Sequence, residues 1–193
     1  MENLIFATHN AHKLQEVSAM LENQVNLLGL SELGFYEEIP ETADTLQENA
    51  LQKAQFVKEK TGCGCFADDT GLEVDALNGE PGVFSARYAG EPSDSEKNID
   101  KLLKNLANKN NRSAQFRTVI VLLQDSDIQY FEGVIRGKII KERYGNGGFG
   151  YDSVFVPDGY EKTFAELSPE EKNLISHRGQ AVKKLVEFLK IKA

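Results

Sequence analysis

Apolar residues along this chain recur with two periods, and most runs end on a recognisable boundary. Residues 3–8 hold a short apolar run (Leu4, Ile5, Phe6, Ala7) that predicts a buried opening strand. After a polar loop, Leu14, Val17 and Leu21 follow at helical spacing, with Glu16 and Glu22 on the other side. Residues 25–36 predict a second short strand and a loop. Thr45-Leu46-Gln47-Glu48 has the form of a capping box, and Leu46, Ala50, Ala54 and Val57 carry a helix from it to about residue 60. Cys65-Phe66-Ala67 then predicts a short buried strand that ends on Asp68-Asp69-Thr70-Gly71, read as a tight turn. Leu72 to Leu77 alternates like a separate strand, and Asn78-Gly79 is a strong turn signal. Beyond the Ser93-Asp94-Ser95-Glu96 helix start, Ile99, Leu102, Leu103 and Leu106 form a one-face stripe. Residues 116–123 predict a long apolar strand. Asp125-Ser126-Asp127 turns the chain, and residues 128–140, with Gly133 and Gly137, read as one bent strand or two. A last helix starts at Ser168-Pro169-Glu170-Glu171 and runs on through Ala181, Val182, Leu185, Val186 and Leu189. Strands alternating with helices, then successive strands, predict an α/β fold with a mixed sheet.

Four stretches carry candidate chemistry. The adjacent carboxylates Asp68 and Asp69 stand at the carboxyl end of a predicted strand, the edge where α/β proteins bind ligands. Neighbours on a strand point to opposite faces, so the two aim together only if the strand has broken; Asp69, next to the turn, is the one expected to face the chemistry. Such buried carboxylates call for a metal or a cationic partner. Thr8, His9, Asn10, Ala11, His12 and Lys13 form the loop before the first helix, where a hydroxyl, an amide, backbone N–H groups and one lysine suit an anion. Asn10 also suits a plain helix cap there. Gly145 to Gly150 matches G-x-G-x-x-G, but a strand and a turn follow it where the dinucleotide fingerprint requires a helix. The glycines instead let the backbone approach a flat ligand, with Phe149 and Tyr151 to stack on it and Asp152 to accept hydrogen bonds. Lys172, His177 and Arg178 lie near the start of the last predicted helix, where its dipole gives cations no help, so a ligand explains their placement better than helix stability does.

Composition narrows the classes. The 193 residues suit one domain with two lobes, and 40 % hydrophobic content can bury a real core. A net charge of −8 excludes a general nucleic-acid binder, so any anionic ligand must be held by a local basic cluster or a metal. Glu2 before a short apolar run does not read as a secretory leader, and no run approaches a membrane span. Cys63 and Cys65, one glycine apart, read as reduced thiols of a cytoplasmic protein.

These parts match a nucleoside triphosphate, and their order along the chain resembles the inosine triphosphate pyrophosphatases, the dITP/XTP-hydrolysing family. The resemblance rests on Phe6-Ala7-Thr8-His9-Asn10-Ala11-His12-Lys13, Glu48-Asn49-Ala50-Leu51-Gln52-Lys53-Ala54, Ala67-Asp68-Asp69-Thr70-Gly71-Leu72, Pro81-Gly82-Val83-Phe84-Ser85-Ala86-Arg87-Tyr88, Gly147-Gly148-Phe149-Gly150-Tyr151-Asp152 and Ser176-His177-Arg178-Gly179-Gln180-Ala181. It implies an α/β domain over residues 1–193, with an elongated, strongly twisted mixed sheet flanked by helices, two lobes and a central cleft, as a homodimer. It also implies hydrolysis of non-canonical purine triphosphates to the monophosphate and pyrophosphate with Mg²⁺. In the family's terms Glu41 and Asp69 match metal ligands and Asp69 the general base. Thr8 to Lys13, Thr70, Phe149, Gly150, Tyr151, Asp152, Lys172, His177 and Arg178 match substrate positions. His9, Ala43 and Ser153 depart from the family's usual glycine, glycine and proline. Two rival readings remain at this point: a non-catalytic nucleotide sensor, and another nucleotide hydrolase such as a phosphatase or a pyrimidine-selective pyrophosphatase of related fold.

Overall fold

A computed structural model describes residues 3–21, 25–125 and 127–192; Glu2, Glu22 and Ser126 lie outside them. The elements are β1 (Asn3–Phe6), α1 (Ala11–Leu21), β2 (Asn26–Gly29), α2 (Leu46–Thr61), β3 (Cys65–Val74), β4 (Pro81–Gly82), α3 (Ser95–Asn105), β5 (Ser113–Gln124), β6 (Asp127–Ile139), β7 (Phe155–Pro157), α4 (Pro169–Ile175) and α5 (His177–Lys192). The strands follow the order β2-β1-β3-β5-β6-β7, with β4 beside β3. β1 pairs in parallel with β2 and β3, while β4 on β3 and β7 on β6 are antiparallel, so the sheet is mixed as the pattern predicts. No helix among the described residues is long and apolar enough to cross a membrane.

Two compact units divide the chain, each with its own core. The first comprises Met1–Asp69, Thr118–Gly133 and Arg178–Ala193. Its core gathers Leu4, Phe6, Val17, Phe66, Ile120 and Leu185, with the Phe6 and Phe66 rings stacked at 4.4 Å. The second comprises Thr70–Arg117 and Val134–His177. Leu72, Ile99, Leu102, Phe116, Phe155 and Phe164 centre its core, and Phe116 meets Phe155 edge-on at 4.8 Å.

The helix boundaries obey local chemistry. Thr45 accepts the Glu48 N–H at 3.1 Å to open α2, and Gly62, at φ 70°, closes it. Asp94 caps α3, whose stripe buries Ile99 and Leu102. Ser168 and Glu171 form a reciprocal capping box with Pro169 in the first turn of α4.

Two expectations fail. The Asp68-Asp69-Thr70-Gly71 segment does not turn: β3 runs through it to Val74, absorbing what reads as a second strand. Local turn propensity yields because both carboxylates meet cations from neighbouring elements, described below. Residues 127–139 form a single strand, one of the two forms the pattern allows. The last helix is broken: Ser176 is extended (φ −66°, ψ 158°), so α4 and α5 are separate and His177 begins the second of them.

Gly137 marks the tightest point of the β6–β7 pairing, where it faces Pro157. A Cβ there would lie 2.3 Å from the Val156 carbonyl oxygen and 2.7 Å from the Phe155 ring. Gly137→Ala should therefore cost about 1–3 kcal/mol in urea unfolding through forced backbone displacement, and a cost below ~0.5 kcal/mol would contradict this packing.

Candidate active site

Because β3 is unbroken, its two adjacent carboxylates face opposite ways, and each finds its own cations. Asp68 is 1 % exposed. Its Oδ1 accepts from Lys13 Nζ at 2.9 Å and its Oδ2 from Arg178 Nε at 3.3 Å. Arg178, also 1 % exposed, donates through Nη1 to Glu16. Lys13 and Glu16 are one turn apart on α1, so one helix supplies a cation to Asp68 and a carboxylate to Arg178. Two cations and two anions make this group neutral.

On the other face of β3, Asp69 Oδ1 accepts from Lys53 Nζ at 3.0 Å, and the same ammonium donates to Glu41 Oε1 at 2.5 Å. Lys53 is 4 % exposed and comes from the buried face of α2, beside Asn49, Ala50, Ala54 and Val57. Asp69 and Glu41 thus share this ammonium.

The two aspartates differ accordingly in proton affinity. Burial pushes the Asp68 carboxyl up, but Lys13, Arg178 and Lys53 outweigh it and hold the group below the usual carboxylate range. For Asp69 burial prevails over Lys53 and Lys13, with Glu41 adding to the rise, so its carboxyl lies above that range. Burial lowers Lys13 despite Asp68. In Lys53 the carboxylates Asp69, Glu41 and Asp68 overcome burial and raise it.

Asp69 and Glu41 suit a divalent ion that arrives with a polyanion. Mg²⁺ binds through one or two carboxylates completed by phosphate oxygens and water. Among the described residues no group of three or more His, Cys, Asp or Glu side chains could hold a metal unaided.

The loop ahead of α1 belongs to the same unit. Asn10 Oδ1 accepts the Lys13 N–H at 3.1 Å, so Asn10 is a helix cap, and Thr8 Oγ1 accepts the Asn10 N–H at 3.1 Å. His9 hydrogen-bonds the Glu37 carbonyl at 2.8 Å and stacks over Phe35. Ala11 and His12 stand in the first turn of α1.

A second set lies in the other unit. Asp152 Oδ2 accepts from the Phe149 N–H at 2.8 Å and from Lys172 Nζ at 2.7 Å. The Lys172 ammonium also stands 4.9 Å from the centre of the Phe149 ring. Gly148 (φ 69°) is required there, since a Cβ would fall 2.1 Å from Asp152 Oδ2. Gly150 is likewise left-handed at φ 59°. Tyr151 departs from its expected exposure: its ring is buried in the core and its hydroxyl donates to the Ser85 carbonyl at 2.8 Å. The His177 ring stacks on Phe116 at 4.7 Å. Thr70 is half-buried on β3.

Sequence reasoning assigned no role to Lys53, nor to Asp68 and Glu16 as partners of Arg178. A signal for Lys53 was available: a lysine at a core-facing position of an otherwise apolar helix face needs a buried anion.

A mixed sheet flanked by helices defines an α/β protein. The chain belongs to the Ham1 family, whose model matches residues 4–188. It is 52 % identical over 187 residues to the dITP/XTP pyrophosphatase of Flavobacterium psychrophilum, covering 97 % of this chain and 98 % of that one. It is 56 % identical to that of Porphyromonas gingivalis, covering 98 % of each. The Ham1 protein of Staphylococcus aureus has the same fold, with a TM-score of 0.89 at 40 % identity and full coverage of both chains.

Arg178 anchors the neutral group, so Arg178→Met should leave Asp68 and Glu16 short of a cation and cost roughly 3–5 kcal/mol in urea unfolding. Glu16→Gln should cost less, because Asp68 still balances the guanidinium. A loss below ~1 kcal/mol for Arg178→Met would remove this group from the structural account.

Proposed function

We infer that this chain hydrolyses non-canonical purine nucleoside triphosphates (dITP, ITP, XTP) to the monophosphate and pyrophosphate. Relatives named dITP/XTP pyrophosphatases match it over nearly the whole chain, and they support the reaction class. The single structural observation that carries the reading is the unequal pairing of Asp68 and Asp69 on β3. Asp68 is committed to two cations and is kept ionised. Asp69 shares one ammonium with Glu41 and has the higher proton affinity, which suits a group that takes a proton from an attacking water. Glu41 and Asp69 would hold Mg²⁺, which when bound would supply neutralisation of phosphate charge.

The rest is positioning. Lys13, at the start of α1, and the backbone of Thr8 to His12 take the phosphates, aided by the positive end of the helix dipole. Thr70 follows the general base directly. Phe149 supplies a face for the base, and Asp152, set by the Phe149 N–H and Lys172, accepts hydrogen bonds from it. His177 and Arg178 donate toward the purine carbonyl at C6. The Arg178 fork has five donors, and anchoring two nitrogens on Asp68 and Glu16 fixes its direction. Adenine, with an amine at C6, would leave such donors unpaired, an effect that reaches ~10⁴-fold in sites of this kind. The enzyme acts as a cytoplasmic homodimer that cleanses the nucleotide pool.

Incubation with dITP, XTP, dATP or dTTP and Mg²⁺ should release pyrophosphate from the first two only; orthophosphate, or no product, would refute the assignment. Asp69→Asn should lower kcat by at least ~10³-fold with the unfolding midpoint nearly unchanged. Near-normal turnover in that variant would remove Asp69 from the chemistry.

A further inference from the structure

Glu41 sits on a segment with no helix or strand of its own, yet three consecutive residues of that segment are held by one helix. The Glu41 carboxylate accepts from Lys53. The Thr42 N–H donates to Gln52 Oε1 at 2.9 Å, and Gln52 Nε2 donates back to Thr42 Oγ1 at 2.9 Å. The Ala43 N–H donates to Asn49 Oδ1 at 2.9 Å. Asn49, Gln52 and Lys53 stand at i, i+3 and i+4 on α2, so one helix face meets residues 41, 42 and 43 in turn. The Gln52 amide engages Thr42 through backbone and side chain at once, and only its oxygen can meet the Thr42 N–H, so its orientation is set.

We propose that Gln52, with Asn49, is a positioning residue for metal binding: it holds the backbone beside Glu41 so that this carboxylate meets the divalent ion in a fixed geometry. The proposal rests on the reading that Glu41 holds the ion. Mg²⁺ tolerates little departure from octahedral geometry, and a carboxylate on irregular backbone cannot supply that geometry unaided. The helix that carries Lys53 therefore also carries the support for Glu41. Metal sites elsewhere lose 10- to 100-fold in affinity when such outer partners are removed.

Mn²⁺ binding in the presence of a non-hydrolysable dITP analogue, followed by the electron paramagnetic resonance of free Mn²⁺, tests this directly. Gln52→Met, which removes both bonds, should weaken Mn²⁺ about ten-fold, Thr42→Val, which keeps the Thr42 N–H bond, should weaken it less, and each should raise the Mg²⁺ needed for half-maximal activity in the same proportion. The kcat at saturating Mg²⁺ should stay within about two-fold of the parent. Because both variants act on the same clamp, the double variant should be no worse than Gln52→Met alone, and Thr42→Ser should bind like the parent. If Glu41→Gln loses Mn²⁺ while Gln52→Met and Thr42→Val bind it like the parent, the clamp is refuted and the role of Glu41 stands. If Glu41→Gln itself binds normally, the reading beneath the proposal fails. Additive losses in the double variant would also refute a shared clamp.

Discussion

One strand places two adjacent carboxylates back to back, and everything at the candidate site follows from how each is neutralised. Had β3 turned after Asp69, both could have crowded one side and repelled. Because it continues to Val74, Asp68 faces α1 and α5 residues while Asp69 faces α2 and the segment before it. Buried carboxylates survive only when paired, so Lys13, Arg178 and Lys53 are as necessary to the fold as the apolar core around them. The pairing is asymmetric: Asp68 meets two cations, whereas Asp69 shares one ammonium with Glu41.

Buried cations reconcile a protein of net charge −8 with a polyanionic substrate. Distant surface charge is screened within roughly 10 Å, whereas buried ammonium and guanidinium groups act at close range in a medium of low polarity. Lys13, Lys53, Lys172 and Arg178 are all buried or nearly so, and each is tied to a carboxylate that fixes its direction. Such cations are held in place by the fold itself.

The strands and helices with clean periodicity were legible in the sequence: β1, α2, α3 and the mixed character of the sheet. So was the rejection of a dinucleotide loop, since residues 152–157 give a short turn and strand after the glycines in place of a helix. What escaped depended on partners far along the chain. The Asp68-Asp69-Thr70-Gly71 segment carries a turn signal, and only the cations supplied by residues 13, 53 and 178 keep it extended. The α4–α5 break at Ser176 interrupts an apolar stripe that looks continuous, because Ala181 to Leu185 pack into one core while Ile175 packs against the other. Tyr151 looked like a ligand platform among glycines, yet its hydroxyl had a buried carbonyl to satisfy. Lys53 stands in a motif whose spacing gives it no role, although a lysine among Ala50, Ala54 and Val57 implies a buried anion.

The division of labour between the two aspartates is open to direct observation. A crystal structure with Mg²⁺ and a non-hydrolysable dITP analogue should place the ion within about 2.1 Å of oxygens from Glu41 and Asp69, while Asp68 keeps Lys13 and Arg178. An ion coordinated by Asp68, with Asp69 still bound to Lys53 alone, would contradict the account.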